Sequence, residues 1–118
     1  IDERYKKNLS GINGLNIPKV NVYTNKYIMW VFNLFVDENF GVNRNELCDQ
    51  LRTKKIETRE AFVPINMQKV FKKKFGYKDN ECPNANYIMN NGFYIPCGNT
   101  ITNDQIDYVS EQIIKIKK

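Results

Sequence analysis

The sequence predicts an α+β fold: a small two-layer sandwich with a sheet of three or four mostly antiparallel strands and helices on one face. Three observations carry that expectation. Helical and strand patterns alternate along the chain, with short connections and no repeat or low-complexity tract. Residues 27–36 (YIMWVFNLFV) concentrate aromatic and β-branched side chains with one polar interruption, the composition of a central strand buried on both faces. Thr102 and Gln105 stand at capping-box spacing ahead of Ile106, Val109, Ile113 and Ile116, an apolar stripe of helical period.

The elements follow in order. Residues 1–9 read as the end of a helix, which Gly11, Gly14 and Pro18 break into a loop, so that residues 1–26 form an opening helix and loop and 27–118 the α+β core. After the aromatic strand, residues 37–40 form a turn. Asn43 and Glu46 then match a capping box, with Leu47 and Leu51 on one face of a helix that ends near Thr53. Residues 56–62 read as extended up to Pro64. A short helix follows around Met67, Val70, Phe71 and Phe75, with Gly76 as its stop. Pro83 suits the first turn of a helix over 82–90, ended by Asn91-Gly92, and residues 93–95 make a brief strand. In the last helix, Lys115, Lys117 and Lys118 complement the negative end of the dipole.

Composition narrows the chemistry. The 118 residues make one domain, long enough to bury roughly two-thirds of the surface of the unfolded chain without staples. With no His, every His-based triad and Cys/His zinc site is excluded, and no metal centre is expected. Cys48, Cys82 and Cys97 contain no C-x-x-C pair and are odd in number, which argues against a disulfide framework and for a reducing cytoplasm, with the thiols as small packing residues. The apolar run ending at Asn33 is far shorter than the about 18 residues of a membrane span, and the charged opening lacks the pattern of a signal peptide. The chain thus reads as soluble. It begins without Met and reads as a fragment.

The net charge of +5 lies in one segment, Lys69, Lys72, Lys73, Lys74 and Lys78. Lysine outnumbers arginine 14 to 4, whereas phosphate and base recognition favours the planar, bidentate arginine fork. A solvated helix face explains the run; a phosphate-attracting patch is the alternative.

One ordered set of pieces is specific. An aromatic strand is followed by a capped helix, an I-E-T-R turn, an aromatic-x-P-x-x-x-Q segment, a helix opening near Cys82, a short Y-I-P-C-G strand and a T-x-x-Q-I-D-Y helix. In this order, over nearly the whole chain, the sequence resembles the C-terminal domain of DegT/DnrJ/StrS-type sugar aminotransferases of the perosamine-synthase kind. That resemblance implies a pyridoxal-phosphate enzyme that moves an amino group, with glutamate as the expected donor, onto a nucleotide-linked keto-sugar for polysaccharide or amino-sugar synthesis. It also implies a separate large N-terminal domain and a homodimer in the intact enzyme. The family's cofactor lysine, its pyridine-pairing aspartate and its ring-stacking residue belong to that large domain, so this piece is expected to bind no cofactor and to catalyse nothing alone.

The resemblance turns three side chains towards the substrate cleft. Arg59 is suited to bidentate bonding of a diphosphate or carboxylate, or else to an ion pair with Glu57 or Glu60. Phe62 either leans on a sugar or base or joins the core. Asn66 either bonds a sugar hydroxyl or caps the following helix; it stands where the family usually has His, which removes a proton carrier but keeps a hydrogen-bonding group. Trp30 is expected in the core, and Tyr94, on its short strand, either joins the core, the favoured reading, or borders the cleft and offers its hydroxyl to a ligand. Two other classes stay open: a standalone binding or scaffold module, and a small basic nucleic-acid binder.

Overall fold

The structure, a computed structural model, describes residues 1–19, 23 and 28–118. Tyr27, the first residue of the expected aromatic strand, and most of the second half of the opening loop lie outside the described residues. Four strands form one antiparallel sheet in the order β1-β2-β4-β3: β1 (Leu15–Asn16), β2 (Phe32–Val36), β3 (Arg59–Glu60) and β4 (Gly92–Ile95). Five helices accompany it: α1 (Asp2–Leu9), α2 (Arg44–Thr53), α3 (Lys69–Phe75), α4 (Pro83–Asn91) and α5 (Asn103–Ile116). The α+β expectation holds.

Along β2, Phe32, Leu34 and Val36 are buried while Asn33 and Phe35 are partly open, so one face of the sheet carries the core. Phe93 and Ile95 of β4 continue that face, and three helices cover it: Tyr5 and Leu9 from α1, Leu47 and Leu51 from α2, Ile106, Val109 and Ile113 from α5. Each set repeats at three or four residues, which places it on one helical stripe. Tyr5 is fully buried against Phe32, its ring centroid 4.8 Å away, and its hydroxyl donates to Pro96 O at 2.7 Å. Burial raises its pKa above the ordinary tyrosine value.

Local signals account for the ends. Thr102 Oγ1 accepts from Gln105 N at 3.2 Å and Gln105 Oε1 accepts from Thr102 N at 2.9 Å, the complete capping box at the start of α5. At α2 only the first half forms: Asn43 Oδ1 accepts from Glu46 N at 3.0 Å, while the Glu46 carboxylate lies 3.8 Å from Lys118 Nζ. The α2 terminus closes with Ile56 N donating to Leu51 O and Lys55 N to Arg52 O, which leaves Lys55 left-handed at φ 60° where glycine is usual. Gly14, at φ 77°, lets β1 pass the turn at Phe40; a Cβ there would stand 2.0 Å from Phe40 N. Gly76 ends α3 and Pro83 opens α4 as expected.

Helices α1 and α5 are joined across the sequence by a fork. Arg4 donates through Nε to Asp107 Oδ1 at 2.8 Å and through Nη2 to Oδ2 at 2.5 Å, and Asn8 Nδ2 adds a third bond to Oδ1 at 2.8 Å. These bonds, Arg4 first, hold the Asp107 carboxyl down to about 2.

Several expectations are corrected. The aromatic strand is half its expected length: it pairs only from Phe32, and Ile28 and Trp30 are exposed. A bend at Trp30 and Val31 breaks the alternation that would have carried Trp30 onto the buried face. The extended segment 56–62 pairs only at Arg59 and Glu60, and β1, two residues long, had no periodic signal to reveal it. Cys48 is a buried packing residue, but Cys82 is exposed.

Candidate functional site

The second face of the sheet carries the candidate site. Successive strand residues point to opposite faces. On β3, Glu60 is directed to the helix-covered side, and Arg59 stands opposite Tyr94 of β4 on the other. Beyond β3 the chain brings Phe62 alongside. Its ring stacks on Trp30 with centroids 6.1 Å apart and planes 14° from parallel, and meets Tyr94 at 5.6 Å, tilted by 55°. Trp30, Phe62 and Tyr94 thus form one aromatic row. Trp30 is 74% exposed and Phe62 65%, so the core readings of both are corrected: nothing in the described chain covers them. Stacked, open rings next to a cation have the composition of a binding platform.

Arg59 is also exposed. Its Nη2 lies 3.5 Å from Glu57 Oε1, which decides between the two acids named from the sequence, because Glu60 is engaged elsewhere by Arg44. A pair between two exposed side chains contributes at most about 1 kcal/mol, so an anionic ligand would displace Glu57 at small cost. Beneath Arg59 a cavity of about 280 Å³ is lined by Val31, Glu57, Tyr94, Pro96 and Cys97.

Asn66 is placed differently. It lies within a 3₁₀ turn, Ile65–Met67, and is 5% exposed; its Nδ2 donates to Lys78 O at 3.2 Å and to Asp79 O at 3.3 Å. It caps no helix: α3 begins at Lys69 behind Gln68, whose side chain makes no capping bond. The amide instead pins the turn before α3 to the turn after it, and the structure gives Asn66 no contact with the aromatic row. Among the lysines of the basic run, Lys72 pairs with Asp79 and Lys74 lies over the Phe75 ring at 5.4 Å; the others project from exposed positions.

Sequence reasoning missed Trp30 as a site residue and ranked the cleft-facing reading of Tyr94 behind core packing. Tyr94 carried a weak signal, since it shares strand parity with the polar Asn33 opposite it and not with the buried Phe93 and Ile95. For Trp30 the signal was a bend, which composition does not report.

Among the described residues no lysine is buried, and no group of three or more His, Cys, Asp or Glu is placed to hold a metal. A lysine that forms a Schiff base needs a desolvated or cationic environment to lower its pKa, and none of these has the burial for it. None of the described lysines thus has the surroundings of a Schiff-base lysine within this chain. No helix among them is long and apolar enough to cross a membrane.

Comparison with known proteins gives the geometry its context. The chain is 30% identical to the spore coat polysaccharide biosynthesis protein SpsC of Bacillus subtilis over 117 residues, which is 98% of this chain and 30% of that protein. It is 24% identical to the uncharacterized protein MJ1066 of Methanocaldococcus jannaschii, over 95% of this chain and 29% of that one. The chain thus spans under a third of the length of these relatives. In structure it is similar to the putative sugar aminotransferase Spr1654 of Streptococcus pneumoniae, with a TM-score of 0.83 at 16% identity, over 98% of this chain and 28% of that one. It is also similar to the E. coli GDP-4-keto-6-deoxy-D-mannose-3-dehydratase, with a TM-score of 0.79 at 23% identity, over 95% of this chain and 28% of that one. The fold therefore serves both an aminotransferase and a dehydratase. Residues 1–114 match the DegT/DnrJ/EryC1/StrS aminotransferase family, and the chain belongs to that family.

Proposed function

We propose that this chain is the C-terminal, substrate-facing small domain of a cytoplasmic sugar aminotransferase that transfers an amino group from glutamate to a nucleotide-linked keto-sugar. The carrying observation is the open aromatic row beside Arg59 in a chain of this family. Arg59 would grip the diphosphate with its two-pronged fork. Phe62, flanked by Trp30 and Tyr94, would lie against the base or sugar. Asn66 has its amide nitrogen committed, which leaves Oδ1 to accept from a sugar hydroxyl. The relation to SpsC supports polysaccharide synthesis as the setting.

Family members use pyridoxal phosphate, which carries the amino group between donor and acceptor. Its lysine would come from a large N-terminal domain, and the intact enzyme would be a homodimer. In that enzyme this chain binds, orients and shields the sugar nucleotide and does not hold the cofactor.

Titration with uridine 5′-diphosphate and guanosine 5′-diphosphate, followed by Trp30 fluorescence and amide NMR, tests the reading. Perturbation of Trp30, Arg59 and Phe62, lost in Arg59→Ala and kept in Arg52→Ala, is expected. Perturbation confined to the α1–α5 surface, or none for either nucleotide, overturns it. Incubation with pyridoxal phosphate followed by dialysis tests the cofactor's place, because a stable stoichiometric adduct on one lysine would contradict it.

A further inference from the structure

A buried arginine stands directly behind the site. Arg44, in the first turn of α2, is only 9% exposed. Its Nη1 lies 3.2 Å from Glu60 Oε1 but off the hydrogen-bonding axis, and its Nη2 donates to Met89 O in the last turn of α4 at 3.5 Å. Its Nε has no partner among the described residues. Removing a guanidinium from water with two nitrogens lacking a hydrogen bond is costly, and apolar replacements of buried ion pairs are often neutral or stabilising. Stability alone does not explain an arginine here.

Its contacts do. Strand β3 has two residues, neither of them buried. Its remaining ties are the ladder to β4 and the bond from Ala61 N to Gly92 O at 3.1 Å. Arg44 adds a grip from the helix-covered side. By pairing with the otherwise exposed Glu60 on the helix-covered side it limits the strand's rotation, and alternation places Arg59 on the opposite side. By bonding Met89 O it fixes the last turn of α4, which runs directly into β4 and so into Tyr94.

We propose that Arg44 is a positioning residue that braces β3 and α4 from behind and so keeps Arg59, Phe62 and Trp30 in register on the open face. The brace is a property of the chain itself. Its functional meaning rests on the reading that Arg59 and Phe62 face the ligand.

Three variants of this chain test it: Arg44→Met, Arg44→Lys and Glu60→Gln. The readouts are the Trp30 emission and near-ultraviolet circular dichroism of the native state, amide exchange at Ala61, and the melting temperature. Arg44→Met should change the Trp30 signature and speed Ala61 exchange about tenfold while leaving the melting temperature close to wild type. Glu60→Gln, at an exposed carboxylate that leaves the core intact, should reproduce both changes and decides the question if Arg44→Met does not fold. Arg44→Lys, which keeps a cation facing Glu60, should restore the Trp30 signature. A lower melting temperature with Trp30 and Ala61 unchanged makes Arg44 merely structural and overturns the proposal. Uridine or guanosine diphosphate titration separates the two ideas: a brace that passes these tests in a chain that binds neither nucleotide leaves the brace standing and removes its role in binding.

Discussion

The two faces of the sheet are built on different terms. On one, α1, α2 and α5 bury a continuous apolar cluster, with Leu34, Phe93 and Ile113 fully sequestered. On the other, Trp30 and Phe62 stand open, and no residue of α3 or α4 is buried. Apolar burial at roughly 25 cal/mol per Å² maintains the first. Pairwise polar ties maintain the second: Asn66 to the turn at Lys78 and Asp79, Lys72 to Asp79, Arg44 to Glu60 and Met89. The covered face therefore sets stability, and the open face holds a shape.

That division is breakable by experiment. Phe93→Ala empties the middle of the covered face and should cost about 3–5 kcal/mol in denaturant unfolding; a cost below about 1 kcal/mol would mean that the core lies elsewhere. Asn66→Ala leaves two carbonyls without their donor and should cost about 1–2 kcal/mol. Its effect should appear as faster amide exchange within α3 and α4, with α5 unchanged. Lys55→Gly relieves a left-handed residue at the end of α2 and should stabilise the chain by about 0.5–1 kcal/mol, read as a higher denaturant midpoint.

The smallest expected effect is a pH dependence on the covered face. Arg4 lowers the folded Asp107 pKa from 3.8 to about 2, so the stabilisation is complete above pH 4 and is lost as pH falls towards 2. Asp107→Asn should remove that part of the acid limb, and an unchanged acid titration would count against the fork.

The covered face was the legible one. The Thr102–Gln105 capping box and the α5 stripe are local signals that appear where the residues predicted them, while the box at Asn43 and Glu46 forms only its first half. The ordered motifs also brought the family into view. The open face was legible only in part. Arg59 and Phe62 stand together through Tyr94, but Trp30 was expected inside, since an aromatic run states hydrophobicity without stating what will cover it. Asn66 was read for its surface chemistry, whereas its bonds run to a turn twelve residues away, a distance local patterns do not span. Arg44 gave no signal at all, because a charged residue in the first turn of a helix normally faces water.

The fork between Arg4 and Asp107 also governs when the chain can finish folding. Its partners are 103 residues apart, and at ribosomal speeds of about 5–20 residues per second the second emerges roughly 5–20 s after the first. Throughout that interval α1 has been synthesised without α5, and Tyr5 and Leu9 lack their final cover. During synthesis α1 thus waits for α5 before it can dock, and of the helices on the covered face it waits longest.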